Sequence, residues 1–364
     1  MAPIALVGVL TLGLTPSIAA TPNTYFVRGT KIGGVSPDSL YTDWVDSTVG
    51  ATVGAHGVPV KVEYPGSFWP ASRGYLGAPT FDDSVGQGLA SLASTIAAGG
   101  DTHTMVIIHG YSQGAVIATE YLRAHPTAGN TYVLIGNPNR PNGGILERFN
   151  GLHLPFLDVS FNGATPTDGD AVVDISYRYD GWADFPKYPL NMLATANALM
   201  GILYLHGKAE QNVNAETLAA AEQSTHGNTT YYLLDSARLP LLMPFEGVLP
   251  DQLLDALETP LRAVIETAYD RTDYGEPTTA EIFPTSNPLQ RVPEVAPTEL
   301  VEAAHLDRPA RSHRAHQTTA ARPAGGDAGR AAGRHASKRP GHQAKAGRDS
   351  RDTERHSTHA DAAG

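Results

Sequence analysis

The chain of 364 residues is 41 % hydrophobic and 17 % charged, with 37 Gly and 27 Pro. That globular, loop-rich composition excludes collagen, coiled coil and a wholly disordered chain. With no Cys, a disulfide framework, a Cys–His zinc site, an iron–sulfur cluster and a cysteine nucleophile are excluded as well. The net charge of −11 divides unequally: residues 1–307 carry −18 and residues 308–364 carry +7. The two stretches are therefore read separately.

Residues 1–20 hold an apolar run from Pro3 to Leu14 followed by Ser17-Ile18-Ala19-Ala20, small residues suited to signal-peptidase cleavage. No Lys or Arg precedes the run, and it falls short of the roughly 20 apolar residues that span a bilayer. The expectation is an exported protein, secreted or held in the cell envelope. Residues 21–285 form one stretch of about 265 residues without a low-complexity linker, ample for a single core. TYFVRGT at 24–30 and VPVKVEYP at 58–65 alternate like strands. Val85, Leu89, Leu92 and Ile96 recur at helical spacing. MVIIH at 105–109 and TYVLIGNP at 131–138 are short apolar runs of the kind buried in a parallel sheet, with a helix predicted between them over 115–123. Residues 172–180 read as a strand, 190–203 as a helix and 231–234 as a strand. Leu253, Leu254, Leu257, Leu261, Val264 and Ile265 mark one face of a late helix. The alternation predicts an α/β fold with a mainly parallel central sheet flanked by helices. Residues 286–364 read as a Pro-containing linker and a disordered basic tail, poor in large apolar residues beyond Leu306. The six His of the tail show no metal-ligand spacing, so no metal is expected. A basic arm for acidic lipid, cell-wall polymer or nucleic acid is the alternative to a solvated tail, which is preferred, so no nucleic-acid partner is expected.

The chemistry centres on Gly110-Tyr111-Ser112-Gln113-Gly114, set between a buried strand and a helix rich in small residues. This is the context of a nucleophile elbow. The turn is so tight that a side chain two residues to either side of the serine collides, hence Gly110 and Gly114. Serine needs a base to take its proton and an acid to orient that base. In this fold class the order along the chain is Ser, acid, His. The loop Tyr179-Asp180-Gly181-Trp182-Ala183-Asp184-Phe185-Pro186 offers two acids. Asp beside Gly is a common turn residue, so the reading prefers Asp184, deeper in the loop, with Asp180 as the alternative. His206 and His226 are the candidate bases, and spacing alone does not separate them; Gly207 is a natural C-cap for a helix ending at His206. His109 falls beneath the elbow. The oxyanion donors are the N–H of Gln113, next after the nucleophile, and that of Thr30 in the Arg28-Gly29-Thr30 loop. No Walker or dinucleotide Gly pattern occurs, and no cofactor is expected.

Several stretches taken in order resemble a known family: Arg28-Gly29-Thr30, Val62-Glu63-Tyr64-Pro65, the elbow, residues 179–186, Leu203-Tyr204-Leu205-His206-Gly207, residues 229–234 and Leu239-Pro240-Leu241-Leu242. Together they resemble the PE-PPE C-terminal domain of mycobacteria, a cutinase-like serine α/β-hydrolase domain. The resemblance favours His206 over His226 as base and leaves Asp180 against Asp184 open. The stretch before the matching residues reads as a signal-like segment and not as a PE or PPE helical module, and the arrangement looks like the branch that acylates trehalose glycolipids at the outer face of the envelope. What it implies is a serine esterase acting on lipid or glycolipid esters through an acyl-enzyme, with peripheral association with the envelope. Acyl transfer between trehalose glycolipids is the alternative, and a catalytically inactive lipid-binding module is an alternative of another class. Leu239-Pro240-Leu241-Leu242-Met243-Pro244-Phe245 is a candidate wall for an acyl groove. Oligomeric state is not indicated by the sequence.

Overall fold

The computed structural model describes residues 21–32, 36–72, 74–101 and 104–283. The signal-like segment 1–20, the tail 286–364 and the last residues of the predicted 21–285 domain lie outside the described residues. Along the chain run β1 (Thr24–Val27), α1 (Asp38–Thr52), β2 (Val60–Lys61), α2 (Phe81–Ala98), β3 (Ile107–Tyr111) and α3 (Gln113–Ala124). Next come β4 (Thr131–Ile135), α4 (Ile145–Arg148), β5 (His153–Leu154), β6 (Val159–Ser160), β7 (Ala171–Tyr177) and α5 (Met192–Tyr204). The last are α6 (Ala209–Asn212), α7 (Ala215–Ala219), β8 (Glu222–His226), β9 (Thr229–Leu234) and α8 (Asp251–Glu266).

The seven-stranded sheet has the order β2-β1-β3-β4-β7-β9-β8. Every neighbouring pair is parallel except β8 with β9. Alternation along each strand divides the core between the two faces. Tyr25, Val27, Ile108, Tyr132 and Leu134 pack with Leu92 and Ile96 of α2 and Ile117 and Leu122 of α3. Phe26, Ile107, Val133, Ile135 and Ile175 pack with Val45 and Val49 of α1 and with Ala209, Val213 and Leu218 around α6 and α7. Both faces are covered, which is why the central strands read as near-continuous apolar runs. This is an α/β-hydrolase sheet with flanking helices.

Several boundaries differ from expectation. β3 starts two residues later, with Met105 exposed, and runs on through Tyr111, because Gly110 and Tyr111 pair with Leu134 and Ile135. Only Val60 and Lys61 of the 58–65 run pair, as an edge strand against β1, and Val58 is exposed. Gly207 does not cap α5: the chain passes through Leu205, in the right-handed region, into a 3-10 turn at His206–Lys208. Residues 239–245 do not line the Ser112 cavity. Leu239 and Leu242 are buried against Tyr179, Tyr188 and Ile265 beneath α8. No helix among the described residues is long and apolar enough to cross a membrane.

Candidate active site

Ser112 sits in the turn between β3 and α3 with φ 56° and ψ −118°, a left-handed conformation that a non-Gly residue holds only when its surroundings enforce it. The enforcement is local. A Cβ on Gly110 would lie 2.6 Å from the Gly114 carbonyl oxygen, and one on Gly114 would strike the Val27 carbonyl. Gly114 is thus the point where α3 crosses the end of β1, and the crossing lifts the serine above the C-terminal edge of the sheet.

Ser112 Oγ lies 2.8 Å from His206 Nε2, and His206 Nδ1 lies 2.7 Å from Asp180 Oδ2. Asp180 is fully buried and His206 is 7 % exposed. A carboxylate only accepts. Asp180 therefore holds the proton of the imidazole on Nδ1 and leaves Nε2 free to accept from the serine hydroxyl. Asp180 Oδ1 is fixed in turn by the Trp182 N–H at 2.9 Å. The His206 ring stacks on Tyr111, centroids 5.5 Å apart. The Tyr111 hydroxyl donates to the His206 carbonyl at 2.6 Å.

The preference for Asp184 is corrected here. Its side chain does reach back, but to the Tyr179 N–H at 2.7 Å and to the Arg271 guanidinium at 2.7 Å, not to a histidine. Burial raises its pKa, but the Arg271 charge and the hydrogen bonds from Arg271 and the Tyr179 N–H together outweigh it, so the carboxyl lies below the usual carboxylate range. His226 is far from the serine. It pairs with Thr229 at the start of β9, next to Val172 near the start of β7, and so at the N-terminal end of the parallel strands. Four strand spacings, roughly 19 Å, also separate β8 from β3. His226 Nδ1 contacts Asp273 at 3.1 Å instead. His109 is fully buried in β3, and burial lowers its pKa to about 4.

The loop expected to supply oxyanion donors is beside the serine: the position of a Cβ on Gly29 falls 3.0 Å from Ser112 Cβ. Gln113 opens α3, where the first N–H groups have no intrahelical acceptor. The Gln113 side chain is spent elsewhere, donating to Ser67 O at 2.7 Å and accepting from Ser84 Oγ at 3.1 Å. Its backbone N–H, at the first position of the helix, is the group left of this residue without an intrahelical acceptor. Thr30 lines the same cavity.

That cavity holds about 420 Å³ and is walled by Thr30, Trp44, Phe68, Phe81, Trp182 and Leu203 around Ser112 and His206. Its size and apolar lining suit an organic ligand. The structure brings a serine hydroxyl, an imidazole held by a buried carboxylate and a helix N-terminus to one apolar cleft, a geometry able to transfer acyl groups. Sequence reasoning missed four contributors. Gly136, φ 56°, admits the base: a Cβ there would lie 2.9 Å from His206 Cε1, and the Gly ending the strand TYVLI was its signal. Tyr111 stacks on the base, and Arg271 claims Asp184.

The fourth is Glu210, four residues after His206. It lines the cavity and is 3 % exposed. Neither carboxyl oxygen has a hydrogen-bond partner among the described residues. Burial pushes its pKa up to about 8, against the pull of Arg28. The folded chain therefore keeps a proton that the unfolded chain releases near 4.5, so stability falls as pH rises from there to about 8. Glu210→Gln does not titrate, and we expect it to stabilise the fold more at pH 8 than at pH 5, by on the order of 2 kcal/mol. Thermal midpoints of both proteins at the two pH values check this.

The PE-PPE domain profile matches residues 56–270. Esterase PE16 of Mycobacterium tuberculosis (strain ATCC 25618 / H37Rv) is 44 % identical over 255 residues, covering 64 % of this chain and 47 % of that protein. Diacyltrehalose acyltransferase Chp2 of the same strain is 27 % identical over 273 residues, covering 67 % of this chain and 73 % of that protein. The chain spans about half the length of PE16 and of the PE and PPE relatives like it. Among solved structures, a cutinase-like protein from Cryptococcus sp. is 21 % identical with a TM-score of 0.30, covering 46 % of this chain and 81 % of that chain.

Proposed function

The chain belongs to the PE-PPE domain family, and from that premise we propose that it is an exported serine esterase acting on lipid or glycolipid esters. The observation that carries this reading is the run Ser112–His206–Asp180, with contacts of 2.8 and 2.7 Å at the floor of an apolar cavity. The likeness to an esterase of this family supports it.

In the proposed reaction Ser112 Oγ attacks the ester carbonyl while His206 Nε2 takes the hydroxyl proton. The tetrahedral oxyanion faces the N–H groups of Gln113 and Thr30. Collapse breaks the carbon–oxygen bond to the alcohol, which leaves with the proton from His206 and gives an acyl-serine. Water, deprotonated by the same nitrogen, then releases the acid. A second reading replaces that water with a sugar hydroxyl and makes the enzyme an acyltransferase on trehalose glycolipids. The likeness to Chp2 supports it. The reading includes export to the envelope, after the signal-like segment at 1–20.

A fluorophosphonate probe is expected to label the protein on the peptide that contains Ser112, with release of nitrophenol from a short-chain 4-nitrophenyl ester. Failure of both leaves the inactive lipid-binding module in its place. Mass analysis of the products formed with a diacyltrehalose acceptor decides between free acid and a newly acylated sugar.

A further inference from the structure

The walls of the Ser112 cavity differ in chemistry. Phe68, Phe81 and Trp182 form one wall, joined by edge-on ring contacts of 5.4 and 6.3 Å. Ser36, Tyr41, Glu210 and Gln211 form another, where α1 packs against α6. Arg28, Tyr64 and Tyr111, the cationic and phenolic groups that interact electrostatically with Glu210, are each engaged elsewhere. Arg28 lies over the Tyr41 ring at 3.4 Å and bonds Asp38 at 2.6 Å. Tyr64 donates to Arg28 O at 2.5 Å, and Tyr111 donates to His206 O at 2.6 Å. The Glu210 carboxyl alone is without a partner for either oxygen among the described residues, although it is buried.

A buried polar group without a partner costs stability. In the wall of a cavity such a group is placed to bond what enters. We propose that the wall between α1 and α6 binds the alcohol part of the ester, or of the acyl acceptor, and that Glu210 is its specificity-determining hydrogen-bonding group. The class selected is a hydroxyl-rich alcohol, a polyol or sugar, over a simple alkanol. The chemistry matches because a protonated carboxyl both donates and accepts, as an alcohol hydroxyl does. Burial holds Glu210 in that neutral form. A site built to bond a hydroxyl rejects the analogue lacking it far more strongly than an apolar pocket rejects a missing methylene. The aromatic wall is left for the acyl chain. The inference takes its assignment of alcohol and acyl sides from the esterase reading.

Its test needs no turnover, so its failure is distinct from failure to label Ser112. Calorimetry measures binding of octyl glucoside, whose glycosidic acetal no esterase cuts, and of hydroxyl-free 1-methoxyoctane. Glu210→Leu is expected to weaken octyl glucoside at least tenfold and to leave 1-methoxyoctane as tight or tighter. Glu210→Gln, which still donates and accepts, is expected to bind octyl glucoside within threefold of wild type. Equal affinity of wild type and Glu210→Leu for octyl glucoside overturns the proposal. Should Glu210→Leu not fold, the infrared carbonyl band lost in Glu210→Gln decides on wild-type protein. A shift with octyl glucoside and none with 1-methoxyoctane supports the proposal; an indifferent band overturns it.

Discussion

Ser112→Ala is expected to lower kcat/KM for 4-nitrophenyl butyrate by on the order of 10⁶, and His206→Ala by about as much. The double variant falls no further than either single one, because nucleophile and base act as a unit. The 2.8 Å contact of Oγ with Nε2 is the basis. Without the imidazole the hydroxyl keeps its proton, and without the hydroxyl the imidazole has nothing to activate. What survives is the contribution of the oxyanion donors and the cavity, together worth about 10³–10⁴ over water. Neither substitution touches the core packing of the two sheet faces, so thermal midpoints are expected to stay within about 3 °C, a change of roughly 1 kcal/mol. His226→Ala supplies the control, since that residue lies on the edge hairpin against Asp273; its kcat/KM is expected within threefold of wild type. Steady-state kinetics and thermal midpoints of wild type and the four variants check all of this. Loss of activity in His226→Ala with retention in His206→Ala reverses the assignment.

The elbow was legible in the sequence because everything that shapes it is local. A strand, a serine, a helix and two glycines fall within ten residues, and the clash that demands those glycines involves Gly114 itself and the adjacent β1. The sheet was legible for a related reason: strands buried on both faces carry unbroken apolar runs. β8 escaped, because Glu222-Gln223-Ser224-Thr225-His226 is a polar, largely exposed edge strand with no apolar pattern to read. With it went the evidence that His226 belongs to the far end of the sheet. α1 escaped as well, since only Val45, Thr48 and Val49 of its 15 residues are buried. The choice between Asp180 and Asp184 turned on Arg271, which lies 87 residues downstream. Turn propensity sees only neighbours in sequence, and a buried ion pair is a contact in space.

That ion pair makes the two aspartates separable by experiment, with opposite signatures. Asp180→Asn keeps the volume and keeps an oxygen for the Trp182 N–H. Its amide NH₂ then faces His206 and donates to Nδ1, so the ring must carry its proton on Nε2 and has no lone pair for the serine. The expected loss is about 10⁴ in kcat, the cost of a wrong tautomer, with a thermal midpoint close to wild type. Asp184→Asn removes the charge facing Arg271, whose side chain is 11 % exposed, and leaves that guanidinium with Glu266 as its remaining carboxylate. Breaking a buried pair from one side costs about 3–5 kcal/mol, which lowers the midpoint by roughly 6–15 °C at this size. The folded fraction is expected to keep kcat within tenfold. The pH dependence follows from the sign of the shift. Because the Asp184 carboxyl titrates below its ordinary value of 3.8 when folded, its stabilisation is complete above that value and disappears as pH falls through the folded one. Wild type and Asp184→Asn should therefore differ most near neutrality and converge in acid. Asp180→Asn is to be compared by activity at neutral pH, where its defect is in the tautomer and not in the fold. If Asp184→Asn instead loses 10⁴ in kcat at an unchanged midpoint, the acid of the site is Asp184 and the 2.7 Å contact of Asp180 with His206 is structural.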